Sequence, residues 1–242
     1  MKSDMRKVTG FVFAAGLGTR LMPLTADRPK AMVRCDGVPL IEQVVNRMVS
    51  AGIKHIVVNV HHFPDQIIDF LRTHRFGADI LISDERAYLR DTAGGLRFAL
   101  PLLKDCQQVL IHNVDILTTL SLEALLEEHL RSGADATLAV KQRETSRYFV
   151  FDQTTRMLVG WHDRRSGARR GDPEGPRDVE RAFSGIHVVN RKMLEAIPTV
   201  EKSSITDFYL QNRHNFKIVG YEHDSDSWED VGKCEEYRNR LS

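Results

Sequence analysis

The stretch FVFAAGLGTRLMPLTADRPKAMV, from Phe11 to Val33, contains the features that decide the fold. Its apolar beginning predicts a buried strand over Gly10–Ala15, and a glycine-rich turn follows that strand directly. In an open parallel sheet, ligands bind at the carboxyl ends of the strands. Glycines there let the backbone approach a ligand closely, and exposed amides in such a turn form a nest for anions. The turn is therefore suited to phosphate groups.

This turn does not match the two most common phosphate-binding loops. A Walker loop requires GxxxxGK followed by Ser or Thr, and the sequence contains no such string. A dinucleotide fingerprint requires GxGxxG, whereas Gly16 and Gly18 are followed by Leu21 in place of the third glycine. Two glycines alone are weak evidence, because many tight turns contain them. The cations Arg20 and Lys30, with Pro and Thr residues between them, make the stretch far more specific.

Apolar segments of strand length alternate with helical patterns around and after this stretch. Alternation of this kind is typical of right-handed βαβ units in a mostly parallel sheet with helices on both faces. We therefore predict an α/β fold that is Rossmann-like, with three layers (αβα) and a mixed, mainly parallel sheet. The predicted strands are Gly10–Ala15, His55–Val60, Ile80–Ser83, Gln108–Asn113 and Ala136–Val140, and the predicted helices include Leu40, Val44 and Met48, Asp65–Arg72, Gly94–Leu103 and Ser121–Ser132.

From about Arg147 the pattern changes to strands with little helix between them. Residues 162–181 are rich in charge, Gly and Pro, which predicts a loop or the tip of a long hairpin. No linker marks two independent domains, so we expect a single domain over residues 1–242. The predicted elements of this region are strands at Arg147–Phe151, Leu158–Trp161, Ala182–Asn190 and 216–222, and a last helix from Lys233.

Length and composition are those of a soluble globular protein. The 242 residues fit one α/β domain or two small ones. A formal net charge of +1 argues against dedicated nucleic-acid binding. No apolar segment approaches the length of a membrane span, and the polar start MKSDMRKVTG lacks a signal core. We therefore expect neither nucleic acid nor a membrane as a partner.

Neither the cysteines nor the histidines predict a transition-metal site. Cys35, Cys106 and Cys234 are widely spaced and form no CxxC pair, so a disulfide framework is not expected either. His61 and His62 lack a metal-binding spacing, and we interpret them as strand-end and loop residues. The cysteine usage is typical of a reducing, cytoplasmic setting.

The string GLGTRLMPLTADRPKAMV resembles the signature of the sugar-1-phosphate nucleotidylyltransferases, GxGTRxxPLTxxxPKxxxP. It keeps every signature residue except the last proline, where Arg34 stands. The similarity continues along the chain. Thr92–Gly95 resembles the family's second, base-side glycine turn, and His112–Asp115 stands where the family has a strand-end aspartate. Phe183–His187 is similar to its sugar-side FxGIxx strand, and Trp228–Gly232 to its WxDVG motif.

The resemblance implies a fold of the nucleotide-diphospho-sugar transferase type and a Mg²⁺-dependent reaction. In that reaction a sugar 1-phosphate attacks the α-phosphorus of an NTP and pyrophosphate leaves. Compact members that act on muramate, mannose or heptose 1-phosphates are the most similar. The implied activity is uridylyl or guanylyl transfer, in cell-wall recycling or polysaccharide precursor supply. Because the chain ends soon after the WxDVG motif, we expect no acetyltransferase domain.

The family pattern also assigns roles to individual residues. Arg20 would hold the β- and γ-phosphates, which suit its planar fork, and Lys30 would bridge the α-phosphate and the attacking phosphate. Asp115 and Asp230 would bind Mg²⁺, which prefers carboxylate and phosphate oxygens. The resemblance implies nucleotide binding by Ala14, Ala15, Gly16, Gly18, Thr19, Arg20, Thr92, Gly94 and Gly95, and sugar binding by Asn113, Gly185 and Trp228. It also implies a nucleotide-binding part at about 8–140 and a sugar-binding part at about 141–232.

One departure from the family concerns the sugar phosphate. Many members carry a Glu-Lys-Pro string whose lysine grips that phosphate, but this chain reads LVGWHDRR at the corresponding place. Arg147, Arg164 and Arg165 are the candidates to replace the lysine. The segment 162–181 is then either a solvated loop or a lid over the sugar phosphate.

Two alternatives to a sugar-1-phosphate enzyme remain open. A cytidylyltransferase acting on phosphocholine or a similar alcohol phosphate shares the signature and differs in its acceptor pocket. A catalytically silent nucleotide-sugar sensor would be expected to have lost a cation or a metal ligand. This sequence keeps both cations, Arg20 and Lys30, and both predicted metal ligands, Asp115 and Asp230. The sequence leaves open the nucleobase, the sugar and whether the protein is a monomer or a dimer.

Overall fold

A ten-stranded mixed sheet forms the centre of the fold in the computed structural model, which describes residues 7–103, 105–172, 175–232 and 241. The strands are β1 (Val8–Phe13), β2 (Arg34–Cys35), β3 (Val38–Pro39), β4 (His55–Val60), β5 (Asp79–Asp84), β6 (Gln108–Asn113), β7 (Ile116–Thr118), β8 (Ala136–Lys141), β9 (Arg147–Asp152), β10 (Leu158–Asp163), β11 (Ala168–Gly171), β12 (Asp178–Asn190), β13 (Ile218–Glu222) and β14 (Trp228–Asp230). The α-helices are α1 (Leu40–Ser50), α2 (Pro64–Thr73), α3 (Asp91–Ala99), α4 (Leu122–Ser132), α5 (Arg191–Glu195) and α6 (Ile205–Gln211).

The strand order is β11-β10-β9-β12-β6-β1-β4-β5, with β8 and β13 branching from β12. Strand β1 pairs in parallel with β4 and β6, and β5 pairs in parallel with β4. Strand β12 is antiparallel to β6, β8 and β9. The predicted mixed, mainly parallel sheet is confirmed, and the strands β9, β10 and β11 add an antiparallel extension to it.

Strand β1 is buried on both faces, because helices cover both sides of the sheet. Side chains of a strand alternate between its faces. Val12 accordingly packs with α1 and α2 in one apolar cluster, whereas Phe11 packs with α3 and α6 in the other. A Cβ at Gly10 would lie 2.6 Å from the Met48 sulfur, so this glycine lets α1 approach the sheet closely. Three layers result, as predicted.

Two element boundaries differ from the prediction for physical reasons. The first strand spans Val8–Phe13, because the amides of Ala14 and Ala15 donate to a side chain, not to a neighbouring strand. The helix predicted from Gly94 begins at Asp91 and ends at Ala99, before a 3₁₀ turn that contains a proline. The prediction that Thr92–Gly95 forms a glycine turn is therefore wrong: these residues lie in the first turns of α3.

Within the charged segment at 162–181, residues 162–171 form a hairpin. Strands β10 and β11 pair antiparallel across it, so one of its two predicted alternatives is confirmed. Arg170 pairs with Asp207 of α6 at 2.6 Å, and Asp172 pairs with Arg213 at 2.5 Å. The hairpin is thereby attached to α6. The predicted last helix from Lys233 falls outside the described residues.

Two buried histidines lie where the parallel and antiparallel parts of the sheet meet. His112 belongs to β6 and His187 to the adjoining β12. Within the described part of the chain, Nε2 of His112 and both ring nitrogens of His187 have no hydrogen-bond partner. Burial lowers the pKa of His112 to about 4 and that of His187 to about 3. The charge of Arg47 adds to the lowering at His112, and His112 adds to the lowering at His187. Both rings are therefore neutral near pH 7.

No helix in the described ranges is both long enough and apolar enough to cross a membrane.

Candidate active site

The carboxyl ends of β1 and β6 open into a cavity of about 460 Å³. Many of the predicted site residues line this cavity, which lies where ligands bind in open parallel sheets. The residues predicted from the sequence that line it are Ala14, Ala15, Gly16, Gly18, Thr19, Arg20, Lys30, Thr92, Asn113 and Asp115. Other lining residues are Phe13, Leu17, Leu21, Asn59, Glu85, Leu89, Asp91, Val114 and Lys202.

The glycine-rich turn after β1 is held by a threonine of the same stretch. Gly18 has a φ of 69°, a left-handed conformation that favours glycine, and the 3₁₀ turn at Thr19–Leu21 starts there. The Thr25 hydroxyl donates a 2.9 Å hydrogen bond to the Gly18 carbonyl. A Cβ at Gly18 would lie 2.9 Å from the Thr25 methyl carbon and 3.3 Å from Cβ of Lys30. The turn therefore packs directly against the segment that carries the second cation.

Two cations and two carboxylates converge at the cavity, which three of them, Arg20, Lys30 and Asp115, line. Nζ of Lys30 contacts Oδ2 of Asp115, and Nη2 of Arg20 lies 3.7 Å from the same oxygen. Nη1 of Arg20 lies 3.3 Å from Oδ2 of Asp230. The Lys30 side chain is 10% exposed, whereas that of Arg20 is 50% exposed and lies nearer to solvent. All four residues predicted for catalysis and metal binding are thus brought together.

A short strand pair brings the two carboxylates to the same place. Strands β7 and β14 pair antiparallel, and Ile116 lies opposite Asp230. The amide of Val231 donates a 3.0 Å hydrogen bond to the carbonyl of Asp115. Neither strand was predicted from the sequence, because three residues are too few to give an alternating pattern.

Gly232, which was not predicted as a site residue, makes room for the cations. A Cβ at this position would lie 2.9 Å from Nζ of Lys30 and 3.3 Å from Nη2 of Arg20. Its amide donates a 3.0 Å hydrogen bond to Oδ1 of Asp230. The last glycine of the WEDVG string therefore both holds a carboxylate and leaves space for the two cations. The position of Gly232 in the WEDVG string was the sequence signal that could have identified it as a site residue.

A buried amide side chain shapes the start of the turn. Oδ1 of Asn59, at the end of β4, accepts hydrogen bonds from the amides of Ala14 and Ala15 at 2.8 and 3.2 Å. Nδ2 of Asn59 donates a 2.8 Å hydrogen bond to Oε1 of Glu85. Asn59 and Glu85 are each only 2% exposed, and burial raises the pKa of Glu85. The sequence suggested Asn59 only as part of a strand end that could line the sugar pocket, and it gave neither Asn59 nor Glu85 a role at the glycine-rich turn, because no motif marks them.

The predicted base-side residues of α3 have structural partners. A Cβ at Gly95 would lie 2.8 Å from Oε1 of Glu85, so this glycine makes room for the buried carboxylate. A Cβ at Gly94 would lie 3.0 Å from Cβ of Arg90. Neither glycine lines the cavity, whereas Thr92 does, and its hydroxyl accepts a 2.8 Å hydrogen bond from the amide of Ile205.

The three predicted sugar-side residues are neighbours at the edge of the cavity. Gly185 has a φ of 74°, and a Cβ there would lie 2.7 Å from Nδ2 of Asn113. Nε1 of Trp228 donates a 2.8 Å hydrogen bond to the carbonyl of Ser184, the residue next to Gly185. Asn113 lines the cavity, so these contacts connect the residues predicted to bind the sugar with those predicted to bind the nucleotide.

Comparison with known sequences places the chain among nucleotidyl transferases. The family described as nucleotidyl transferase matches residues 9–241. An N-acetylmuramate α-1-phosphate uridylyltransferase of Caulobacter vibrioides is 37% identical over 155 residues, which cover 63% of this chain and 60% of that protein. A mannose-1-phosphate guanyltransferase of Yarrowia lipolytica is 30% identical over 241 residues, which cover 94% of this chain and 61% of that protein. The chain spans about three fifths of the length of these curated relatives.

Solved structures show the same fold at low sequence identity. HddC from Yersinia pseudotuberculosis, complexed with GMP-PN, superposes with a TM-score of 0.72 at 18% identity, covering 96% of this chain and 97% of that chain. A protein described as a glucose-1-phosphate thymidylyltransferase from Bacillus anthracis has a TM-score of 0.76 at 18% identity, with coverages of 93% and 90%. The predicted nucleotide-diphospho-sugar transferase type of fold is confirmed.

Proposed function

Because this chain belongs to the nucleotidyl transferase family, we propose that it transfers a nucleotidyl group from an NTP to a sugar 1-phosphate and releases pyrophosphate. The observation that carries this proposal is the convergence of two cations and two carboxylates at the cavity. The names of the two curated relatives favour UTP or GTP as the donor and a muramate or mannose 1-phosphate as the acceptor. A heptose 1-phosphate is a third candidate acceptor.

The positions of the two cations suit different parts of this reaction. An oxygen of the sugar phosphate forms a bond to the α-phosphorus, and the bond from that phosphorus to pyrophosphate breaks, so charge grows on the leaving group. Arg20, at the exposed side, presents its planar fork to the leaving phosphates. Lys30, at the enclosed side, places a compact charge between the α-phosphate and the attacking phosphate. Cations placed in advance where charge develops lower such a barrier.

The residues present fit a magnesium ion. In the described ranges no group of three or more His, Cys, Asp or Glu side chains could hold a metal. Asp115 and Asp230 nevertheless each bring a carboxylate oxygen to within 3.7 Å of the Arg20 guanidinium, so both face one centre. Mg²⁺ is commonly held by one or two carboxylates together with substrate phosphates. When bound by these two residues it would neutralise charge on the phosphates.

The buried Asn59 gives the nucleotide loop its shape before a ligand arrives. By accepting hydrogen bonds from the amides of Ala14 and Ala15, it keeps the first part of the loop in one conformation. A pre-organised loop loses little conformational entropy on binding. We assign Asn59 and its partner Glu85 as positioning residues for the NTP site.

Pyrophosphate release with Mg²⁺ tests this proposal. UTP, GTP, CTP, ATP and TTP are each combined with muramate, mannose, heptose, glucose and N-acetylglucosamine 1-phosphates and with phosphocholine. We expect release from UTP or GTP with one of the sugar 1-phosphates. Release from CTP and phosphocholine alone would identify the alcohol-phosphate alternative. An empty grid from folded protein that still binds an NDP-sugar would replace the enzyme by a silent sensor.

A further inference from the structure

Arg143 is a half-buried cation on the sugar side, and sequence reasoning did not single it out. Its guanidinium lies over the ring of Trp228, 3.7 Å from the ring centroid. Nη2 donates a 2.8 Å hydrogen bond to the carbonyl of Phe183. Nε is buried and has no acceptor in the described part of the chain, where no carboxylate lies within ion-pair distance of this guanidinium either. The half-buried charge therefore has no anionic partner at contact distance among the described residues.

The guanidinium stacks on a residue of β14 that shares a face of this strand with Asp230. Trp228 and Asp230 are two residues apart in β14, so their side chains point to the same face, roughly 7 Å apart along the strand. The charge of Asp230 acts on Arg143 and raises its pKa, against the larger lowering by burial. Asp230 in turn approaches Arg20. Arg143 is thus directed toward the place where the four charged residues converge.

The three arginines suggested by the sequence are engaged elsewhere or exposed. Arg147 is 71% exposed and pairs with Asp163 at 3.5 Å. Arg164 pairs with Glu180 at 2.7 Å. Arg165 is an exposed residue of the turn between β10 and β11. The first two hold the hairpin to its neighbouring strands, so their charges are already offset.

We propose that Arg143 binds the phosphate of the sugar 1-phosphate and takes the place of the lysine that this chain lacks. The assignment rests on the proposed function, because it needs an acceptor phosphate in the cavity. Stacking on the indole and the bond to Phe183 leave the Nη1 end of the guanidinium without an acceptor among the described residues, and that end can donate to a phosphate oxygen. The indole attracts the cation without supplying a negative charge that a phosphate would have to displace. Arg143 then holds the acceptor beside the α-phosphorus.

Steady-state kinetics of Arg143→Gln and of the matched control Arg164→Gln test the assignment. Removing a charge-assisted contact to a buried anion leaves that anion without its partner, so Arg143→Gln should raise the KM for the sugar 1-phosphate by about 30-fold or more. The KM for the NTP should stay within about threefold of the wild type in the same assay. Arg164→Gln should leave both constants within about threefold, because its charge is offset by Glu180.

Binding measured by calorimetry separates this assignment from the proposed function. Mannose 1-phosphate, N-acetylmuramate 1-phosphate, glucose 1-phosphate and heptose 1-phosphate are titrated into the wild type and both variants with Mg²⁺ present. Weaker binding to Arg143→Gln alone supports the assignment even if turnover is absent. Equal binding to the wild type and Arg143→Gln overturns the assignment and leaves the proposed function standing. Failure of every sugar 1-phosphate to bind the wild type overturns both.

A conservative variant keeps the test decisive if Arg143→Gln does not fold. Arg143→Lys keeps the charge but loses the planar fork and its stacking on Trp228. The KM for the sugar 1-phosphate should then rise by about tenfold, between the wild type and the neutral variant, because only the charge of the contact remains. An unchanged KM for the acceptor in a folded Arg143→Lys protein would overturn the assignment. Thermal unfolding of each variant checks the fold.

Discussion

The predicted nucleotide-binding part, residues 8–140, and the predicted sugar-binding part, residues 141–232, differ in how they hold the cations that we propose bind phosphates; they are called the nucleotide-side and sugar-side parts below. In the nucleotide-side part, Lys30 and Arg20 contact carboxylates directly. In the sugar-side part, Arg143 lies on an indole ring and donates to a carbonyl group. A phosphate that binds the first two must share them with carboxylates, whereas a phosphate that binds the third meets no competing anion in the described structure.

On the proposed function, this difference means that binding of the NTP and binding of the sugar 1-phosphate depend on different interactions. Donor binding requires Arg20 and Lys30 to exchange contacts with carboxylates for contacts with phosphates. A divalent cation that neutralises those carboxylates would strengthen donor binding. Acceptor binding depends on a guanidinium whose position is set by stacking. We therefore expect the apparent affinity for the NTP to depend more strongly on Mg²⁺ than the affinity for the sugar 1-phosphate does.

The largest expected effect comes from removing the enclosed cation. Lys30→Ala should lower kcat by about 1,000-fold, since preorganised charge at the reacting centre is usually the largest single contribution to catalysis. Pyrophosphate release measures it, and Lys54→Ala, at an exposed lysine, is the control. Turnover like that of the wild type in a folded Lys30→Ala protein would contradict this comparison, because Lys30 would then not supply the charge at the reacting centre.

The next largest effect should come from a single methyl group at Gly232. A Cβ there would lie 2.9 Å from Nζ of Lys30, so Gly232→Ala should displace the cation without removing it. A misplacement of about 1 Å can cost about 100-fold in rate, and we expect a loss of that order in kcat. The KM for the sugar 1-phosphate should change little. A proportional rise in that KM would show that the two cation sites are not independent.

Acid sensitivity of stability tests the junction between the two parts. The folded-state pKa of His187, about 3, is below the unfolded value near 6.5. The contribution of the neutral His187 to the free energy of unfolding is therefore fully present above pH 6.5 and is lost as the pH falls toward 3. One such histidine costs about 2 kcal/mol between pH 7 and pH 5. His187→Leu should therefore lose about 2 kcal/mol less than the wild type over that interval. Urea unfolding at both pH values measures this, and equal losses would contradict it.

The smallest expected effect concerns the shape of the nucleotide loop. Asn59→Ala leaves the amides of Ala14 and Ala15 without their acceptor, which should raise the KM for the NTP by about tenfold. The KM for the sugar 1-phosphate should remain the same. Asn46→Ala, at an exposed position on α1, serves as the control. A rise in both KM values would show that this network supports the whole cavity and not the donor side alone.

The nucleotide-side part could largely be predicted from the sequence, because its information is local. The parallel strands and their helices follow from apolar periodicity over short segments. The turn at Gly16–Gly18 and the cations of the same stretch lie within fifteen residues of one another. The α/β class and the layers therefore follow from local patterns, whereas the convergence of Arg20 with Lys30 was expected from the resemblance to the nucleotidylyltransferase signature.

The sugar-side part depends on contacts that the sequence does not display. Arg143 is set by stacking on Trp228, 85 positions later in the chain, and no spacing rule connects the two. Lys202 reaches the cavity from the segment between α5 and α6, which carries no recognisable motif. Gly95 belongs to a helix and acts by making room for Glu85, a role that only the packed structure reveals. The sequence therefore predicted most helices and strands, but it did not show which distant residues contact one another.

The pairing of β14 with β7 has a consequence for the protein during its synthesis. Arg20 and Asp230 are 210 positions apart, and at roughly 5–20 residues per second a ribosome needs roughly 10–40 s to cover that distance. A nascent chain therefore exposes its glycine-rich loop long before the second carboxylate exists. Any product of translation that stops before residue 230 carries the loop without a complete site. On the proposed function, aborted chains would take no part in nucleotide chemistry.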